Sequence, residues 1–255
     1  MAESVIKIRK LKIAFGDKVV LDEIGLDLFE GETLAVIGPS GTGKSTVIRV
    51  LTGLLPPTSG SVIINGMETN NFTEADWDKL RPKMGLVFQY SALFDFLTVG
   101  GNVAFGPRQQ KKPEDEIKKK VETLLELVGL PGTEDMLPQE LSGGMKKRIG
   151  LARALAMDPN ILFYDEPTSG LDPVMTMSIS RLIRKTQKQL GVSSILVSHD
   201  MDSVFYAADR IALLYKGKIV EVAPTEEIKN SKNHFVDAFI NGREMDDIKK
   251  DDGDG

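Results

Sequence analysis

Leu34-Ala35-Val36-Ile37-Gly38-Pro39-Ser40-Gly41-Thr42-Gly43-Lys44-Ser45-Thr46 joins a short apolar run to a glycine-rich loop that ends in lysine and serine. Four consecutive apolar residues are the pattern of a strand buried on both faces, as in a parallel sheet. Gly38 to Ser45 matches G-x-x-x-x-G-K-[ST], and the position between a strand and a helix gives that spacing its meaning. Glycines let backbone N–H groups close around phosphate oxygens, and the helix that follows presents its positive N-terminus. Lys44 is expected to neutralise β and γ phosphates, Ser45 to place its hydroxyl on Mg²⁺, and Thr46 to stand beside an α-phosphate. A glycine-rich turn that binds nothing is the plainer alternative, and the flanking elements argue against it.

Further apolar runs lie on either side. Val5 to Phe15 alternates at period two, and Leu26 to Phe29 and Ser61 to Ile64 read as strands with turn residues between them. Gly85 to Phe88, Ile161 to Tyr164 and Ser194 to Val197 are short buried-strand patterns. Between them, Ile117, Val121, Leu124, Leu125 and Val128 recur at helical spacing, with Pro113 opening and Gly129 closing that helix. Lys146 to Met157 forms another helix, stopped by Asp158-Pro159. Asn233 and Gly242 bracket a third around Phe235, Val236, Phe239 and Ile240. Strands alternating with helices predict an α/β fold with a mostly parallel sheet, and the stretch from about 90 to 157 is mainly helical.

Two of the apolar strands end at polar residues able to do chemistry. Asp165 closes Ile161 to Tyr164, where a carboxylate reaches Mg²⁺ directly or through water. Glu166 follows, expected on the opposite face of an extended chain and suited to take a proton from an attacking water. Gln89 follows Gly85 to Phe88, and its amide can sense both metal and water. His199 follows Ile195 to Ser198, placed to hydrogen-bond a γ-phosphate. The other histidine, His234, falls in the late helix and is expected to be structural or exposed.

Composition narrows the class. The chain has 255 residues, 41% hydrophobic and 27% charged, enough for a sizeable core. It has no cysteine, which excludes disulfides and thiolate metal sites and suits a reducing compartment. No apolar run approaches the roughly 20 residues of a membrane span, and Met1 to Phe15 lacks a signal-peptide core. The net charge of −5 is mostly carried by residues 244–255, six acids against two lysines. That balance offers no basic surface for nucleic acid.

Leu141-Ser142-Gly143-Gly144 opens a helix, and Ser142 stands 23 residues before Asp165. Together with the phosphate loop, Gln89, Asp165-Glu166, Ser169-Gly170-Leu171-Asp172 and His199, this ordered set resembles the ABC-type ATPases over residues 4 to 222. The resemblance implies a P-loop ATPase with a RecA-like core, an N-terminal antiparallel β subdomain and a helical signature subdomain at about 90–157. The ATPase domain would span 1–243, with C-terminal helices at about 225–242 and a disordered acidic tail at 244–255. It implies ATP and Mg²⁺ as ligands, the metal held by Ser45, Gln89 and Asp165. Glu166, His199, Gln89 and Lys44 take the catalytic roles, and Gly38, Pro39, Ser40, Gly41, Thr42, Gly43, Lys44, Ser45 and Thr46 bind ATP. Phe15 falls where the family stacks an aromatic on adenine, with a core strand residue as the plainer alternative. The family dimerises head to tail, so Ser142, Gly143 and Gly144 would meet ATP bound by the other copy, and Asp172 would touch the partner subunit.

One feature is narrower. The fifth signature residue is Met145, where most transport ATPases carry glutamine, and it is followed by Lys146-Lys147-Arg148. With Phe88-Gln89-Tyr90-Ser91-Ala92-Leu93-Phe94, this looks similar to the ATPases of MCE-linked lipid transport, the MlaF/Mkl-like group. The implied partners are a second copy of the chain, a MlaE-like permease and an MCE-domain protein. The expected location is cytoplasmic, on the inner face of the membrane. Leu93, Phe94, Phe96 and Leu97 are candidates for a permease socket or for ordinary packing. An ATPase of an amino-acid or methionine importer is the nearest rival. A ribosome- or DNA-acting relative is disfavoured by a single phosphate loop and by only 53 positions between Gln89 and Ser142. A regulatory switch that does not turn over is opposed by Glu166 and His199 together.

Overall fold

The computed structural model describes residues 3–243; the acidic stretch 244–255, expected to be disordered, lies outside the described residues. In chain order the elements begin β1 (Ser4–Phe15), β2 (Lys18–Phe29), β3 (Thr33–Ile37), α1 (Lys44–Leu51), β4 (Ser59–Ile64), β5 (Met67–Glu68) and α2 (Glu74–Leu80). They continue with β6 (Met84–Val87), α3 (Val99–Gln109), α4 (Glu114–Leu127), α5 (Gly143–Leu155), β7 (Ile161–Asp165) and α6 (Pro173–Leu190). The last are β8 (Ser193–Val197), α7 (Met201–Ala207), β9 (Arg210–Tyr215), β10 (Lys218–Pro224), α8 (Thr225–Ile228) and α9 (His234–Ile240). Two compact units result, one from Met1–Asn71 with Leu196–Gly255 and one from Phe72–Ile195.

In the first unit, β1 pairs antiparallel with β2 and with β4, giving the order β2-β1-β4-β5. The buried residues of β1 are Ile6 and Ile8, then Leu11 and Ile13. That switch from even to odd positions would turn a regular strand inside out. It is absorbed by a register shift between Ile8 and Leu11, with Lys10 at φ 46, so all four side chains stay on the core face. The same unit contains β3, buried along its whole length and parallel to β9, which pairs antiparallel with β10. Asn233 caps α9 by accepting from the Phe235 N–H at 3.0 Å, and Gly242 follows at φ 65.

In the second unit, β6 runs parallel to β7, with Val87 opposite Tyr164. Gly85 is required in β6, because a Cβ there would stand 2.6 Å from the Ala154 carbonyl oxygen of α5. α4 buries Ile117, Val121, Leu124 and Leu125, the stripe read from its periodicity. α5 begins at Gly143, three residues before the helix read from the apolar pattern. Ser142 caps it, so the glycine pair lies inside the first turn.

Candidate functional site

In the first unit, β3 delivers Gly38 at φ 146, where a Cβ would stand 2.1 Å from the Leu214 carbonyl oxygen. Only glycine fits that close approach. Gly43, left-handed at φ 103, is the N-cap of α1. Lys44 is only 7% exposed, and its ammonium donates to the carbonyls of Gly38 at 2.8 Å and Pro39 at 2.9 Å. Its charge is thereby curled into the loop that it terminates. Thr42 donates its hydroxyl to the Pro39 carbonyl at 2.9 Å, and Ser40 and Gly41 are exposed. Ser45 and Thr46 occupy the first turn of α1, which carries no acidic residue. A lysine, two hydroxyls and a helix N-terminus free of carboxylates fit a phosphate chain.

Phe15 ends β1 and is 54% exposed, which removes the core-strand alternative for it. His199 is exposed in the segment after β8, and the next residue, Asp200, caps α7 by accepting from the Ser203 N–H at 2.7 Å. His234 is exposed.

In the second unit, β7 ends at Asp165. Glu166 corrects the sequence expectation: it is not on an extended chain but left-handed, at φ 51. The next turn is closed by the Ser169 N–H donating to the Glu166 carbonyl at 3.2 Å. Gln89 is half-buried rather than a free surface side chain, and its amide donates to the Ser169 hydroxyl at 3.1 Å. At α5, the Ser142 hydroxyl accepts from the Met145 N–H at 3.3 Å, and Ser142 and Gly143 are exposed while Gly144 is buried. The first turn of α5 is also free of acids. Asp172 is the N-cap of α6, accepting from the Met175 N–H at 2.9 Å.

Several supporting residues were not legible from motifs. Lys147, on the buried face of α5, donates to the backbone carbonyl of Gln89 and, at 3.5 Å, to that of Glu166. Burial pulls its pKa below the usual lysine value, and the Glu166 charge partly offsets this. A lysine at i+3 from Gly144, on the stripe that continues through Leu151 and Ala154, is the signal that could have flagged it. Asn102 is fully buried and donates to the Phe94, Leu97 and Thr98 carbonyls while accepting from the Phe94 N–H. Arg153 donates to the carbonyls of Ala92 and Ser91, both at positive φ. Together they pin the segment after Gln89. Of the four socket candidates only Phe96 is exposed, at 79%, and Tyr90 in the same segment is 85% exposed; Phe94 packs on Phe105 with ring centroids 4.6 Å apart.

No group of three or more His, Cys, Asp or Glu gathers among the described residues. An all-protein metal cage is therefore absent among them; the Ser45 hydroxyl of the first unit and the Asp165 carboxylate of the second are each hard oxygens of the kind that Mg²⁺ takes. No helix among the described residues is long and apolar enough to cross a membrane.

Residues 21–169 match the model of the ABC transporter family. A methionine import ATP-binding protein, MetN, from Carboxydothermus hydrogenoformans is 39% identical over 241 residues, covering 93% of this chain and 72% of that protein. A probable ribonucleotide transport ATP-binding protein, mkl, from Mycobacterium leprae is 38% identical, covering 95% of this chain and 70% of that protein. A dimeric ATP-binding cassette solved in a post-hydrolysis state with ADP and Pi is 30% identical, with a TM-score of 0.77 over 86% of this chain and 98% of that one. The fold is that of an ABC cassette, an α/β P-loop domain with an antiparallel β part and a helical part. With a family match over more than half its length, the chain belongs to the ABC transporter family as an ATP-binding subunit that uses ATP with Mg²⁺ and hydrolyses it.

Proposed function

We propose that this chain is the ATPase of a transporter for phospholipid or a related hydrophobic molecule. It works as a head-to-tail homodimer on the cytoplasmic face of a MlaE-like permease, with an MCE-domain protein in the assembly. The observation that carries the lipid reading is Met145 at the fifth signature position, with Phe88 to Phe94 beside it. The 38% identity to mkl, which is described as a probable ribonucleotide transport ATP-binding protein, is compatible with the Mkl type and leaves the cargo to Met145 and its neighbours.

Residue roles follow from chemistry. The N–H groups of Gly38 to Ser45 and the Lys44 ammonium bind and orient the phosphates, and Phe15 offers its exposed ring to the adenine. Ser45, Gln89 and Asp165 would hold Mg²⁺, which would neutralise charge on the phosphate oxygens. Glu166 accepts a proton from the attacking water at its carboxylate, and His199 hydrogen-bonds the γ-phosphate. Ser142, Gly143 and Gly144 present the acid-free start of α5 to the nucleotide of the other copy, and Asp172 abuts that copy. Exposed Tyr90 and Phe96 take up the permease.

A second reading, a methionine-type or other small-solute importer, is favoured by the 39% identity to MetN. One experiment divides them: the N-terminally tagged chain is isolated with its membrane partners in mild detergent, and proteins and lipids are identified by mass spectrometry. A multi-span permease with an MCE-domain protein and phospholipid supports the first reading. A permease with a solute-binding protein overturns it in favour of the second.

A further inference from the structure

Lys147 is the fifth residue of α5, and its side chain lies on the buried face of that helix, only 7% exposed. An ammonium in such a place costs free energy unless hydrogen-bonded, and methionine would fill the same volume without that cost. Its bonds within the protein are made to main-chain acceptors and not to a carboxylate. They go to the main-chain carbonyls of Gln89, which follows β6, and of Glu166, which follows β7. Glu166 is left-handed at φ 51, a conformation uncommon for a residue that carries a side chain. The second of these carbonyls belongs to the residue proposed above as the base. The helix supplying the lysine starts at exposed Ser142 and Gly143. At 1.5 Å rise per residue, Ser142 and Lys147 stand about 7–8 Å apart on one rigid rod.

We infer that Lys147 is a positioning residue: it holds the main chain of Gln89 and Glu166 and ties both to α5, so that the helix start facing one nucleotide is mechanically joined to the base and sensor serving the other. Lys147 itself touches neither nucleotide nor water in this role. The inference rests on the roles proposed above for Gln89, Glu166 and the signature.

The test compares wild type, Lys147→Met, Lys147→Gln and Glu166→Gln in the transporter complex as isolated. It reads kcat and KM for ATP, the affinity of a fluorescent ATP analogue, and the thermal midpoint. Methionine keeps volume and loses the donor; glutamine restores a neutral donor. A displaced base costs roughly 10–100-fold, so Lys147→Met is expected to lower kcat by that factor with KM, nucleotide affinity and midpoint nearly unchanged. Lys147→Gln is expected to recover part of the loss. A wild-type kcat in Lys147→Met, with Glu166→Gln inactive, overturns the Lys147 role and leaves the base assignment standing. Loss of kcat, affinity and midpoint together, with no recovery in Lys147→Gln, reduces Lys147 to packing and also overturns it. Normal turnover in Glu166→Gln removes the base assignment, and the inference falls with it.

Discussion

Gln89 donates its side-chain amide to the Ser169 hydroxyl at 3.1 Å, across 80 positions of chain. β6 and β7 are parallel, with Val87 opposite Tyr164, so both strands end at one edge of the sheet. The residues that follow them are therefore neighbours. The bond ties the metal-sensing candidate to the turn that closes over Glu166, and Lys147 fastens the same two segments from α5.

Glu166→Gln removes a proton acceptor while keeping shape and size. Turnover is expected to fall roughly 10²–10⁴-fold with ATP binding retained, and the dimer should accumulate in its closed form. Steady-state ATPase rates beside nucleotide affinity check this, and an unchanged rate would contradict the base assignment.

Lys44→Ala takes the ammonium out of the loop whose Gly38 and Pro39 carbonyls it holds. A charge-assisted phosphate contact contributes about 1.5–3 kcal/mol, so ATP affinity is expected to drop by about tenfold to a hundredfold. Equilibrium titration with a fluorescent nucleotide measures it; equal affinity would rule out the lysine's part in the cradle.

Ser142→Arg places a long side chain at the exposed N-cap of α5 and removes the oxygen that accepts from the Met145 N–H. Nucleotide binding by a single copy should survive, because the phosphate loop is untouched, whereas ATP-dependent dimerisation and hydrolysis should be lost. Light scattering with and without ATP, next to ATPase assays, reads both. A wild-type rate in this variant sinks the shared-site arrangement.

Gly38→Ala and Gly41→Ala separate close approach from backbone strain. At Gly38 a Cβ meets the Leu214 carbonyl oxygen at 2.1 Å, while at Gly41, φ 79, it meets nothing within 4 Å. The first is expected to cost roughly 3 kcal/mol or more, and the second about 1–2 kcal/mol of left-handed strain. Denaturant midpoints of the two variants compare them, and equal costs would show that the Leu214 contact relaxes.

The elements legible in sequence were those with one dominant local signal. Leu34 to Ile37 and Ile161 to Tyr164 are continuous apolar runs, and both are strands. The α4 stripe fixed that helix because Ile117, Val121, Leu124 and Leu125 sit at 3.6-residue spacing. The start of α5 escaped the apolar pattern because Gly143 and Gly144 carry none; a capping serine sets it. α6 carries a different local signal: Asp172-Pro173 is a cap followed by a proline at the first helical position.

The sequence by itself determined the phosphate chemistry and the family. A phosphate loop works through consecutive backbone N–H groups and one lysine, all within eight residues, and the remaining motifs keep their order along the chain. Only the tertiary structure decided how the polar groups of the second unit are aimed. The left-handed turn at Glu166, the Gln89–Ser169 bond and the reach of Lys147 to two carbonyls depend on which strands lie side by side and which way each side chain points. Those contacts join residues far apart in the chain. Local spacing constrains the dihedral angles of a segment and says nothing about which distant segment that segment will meet.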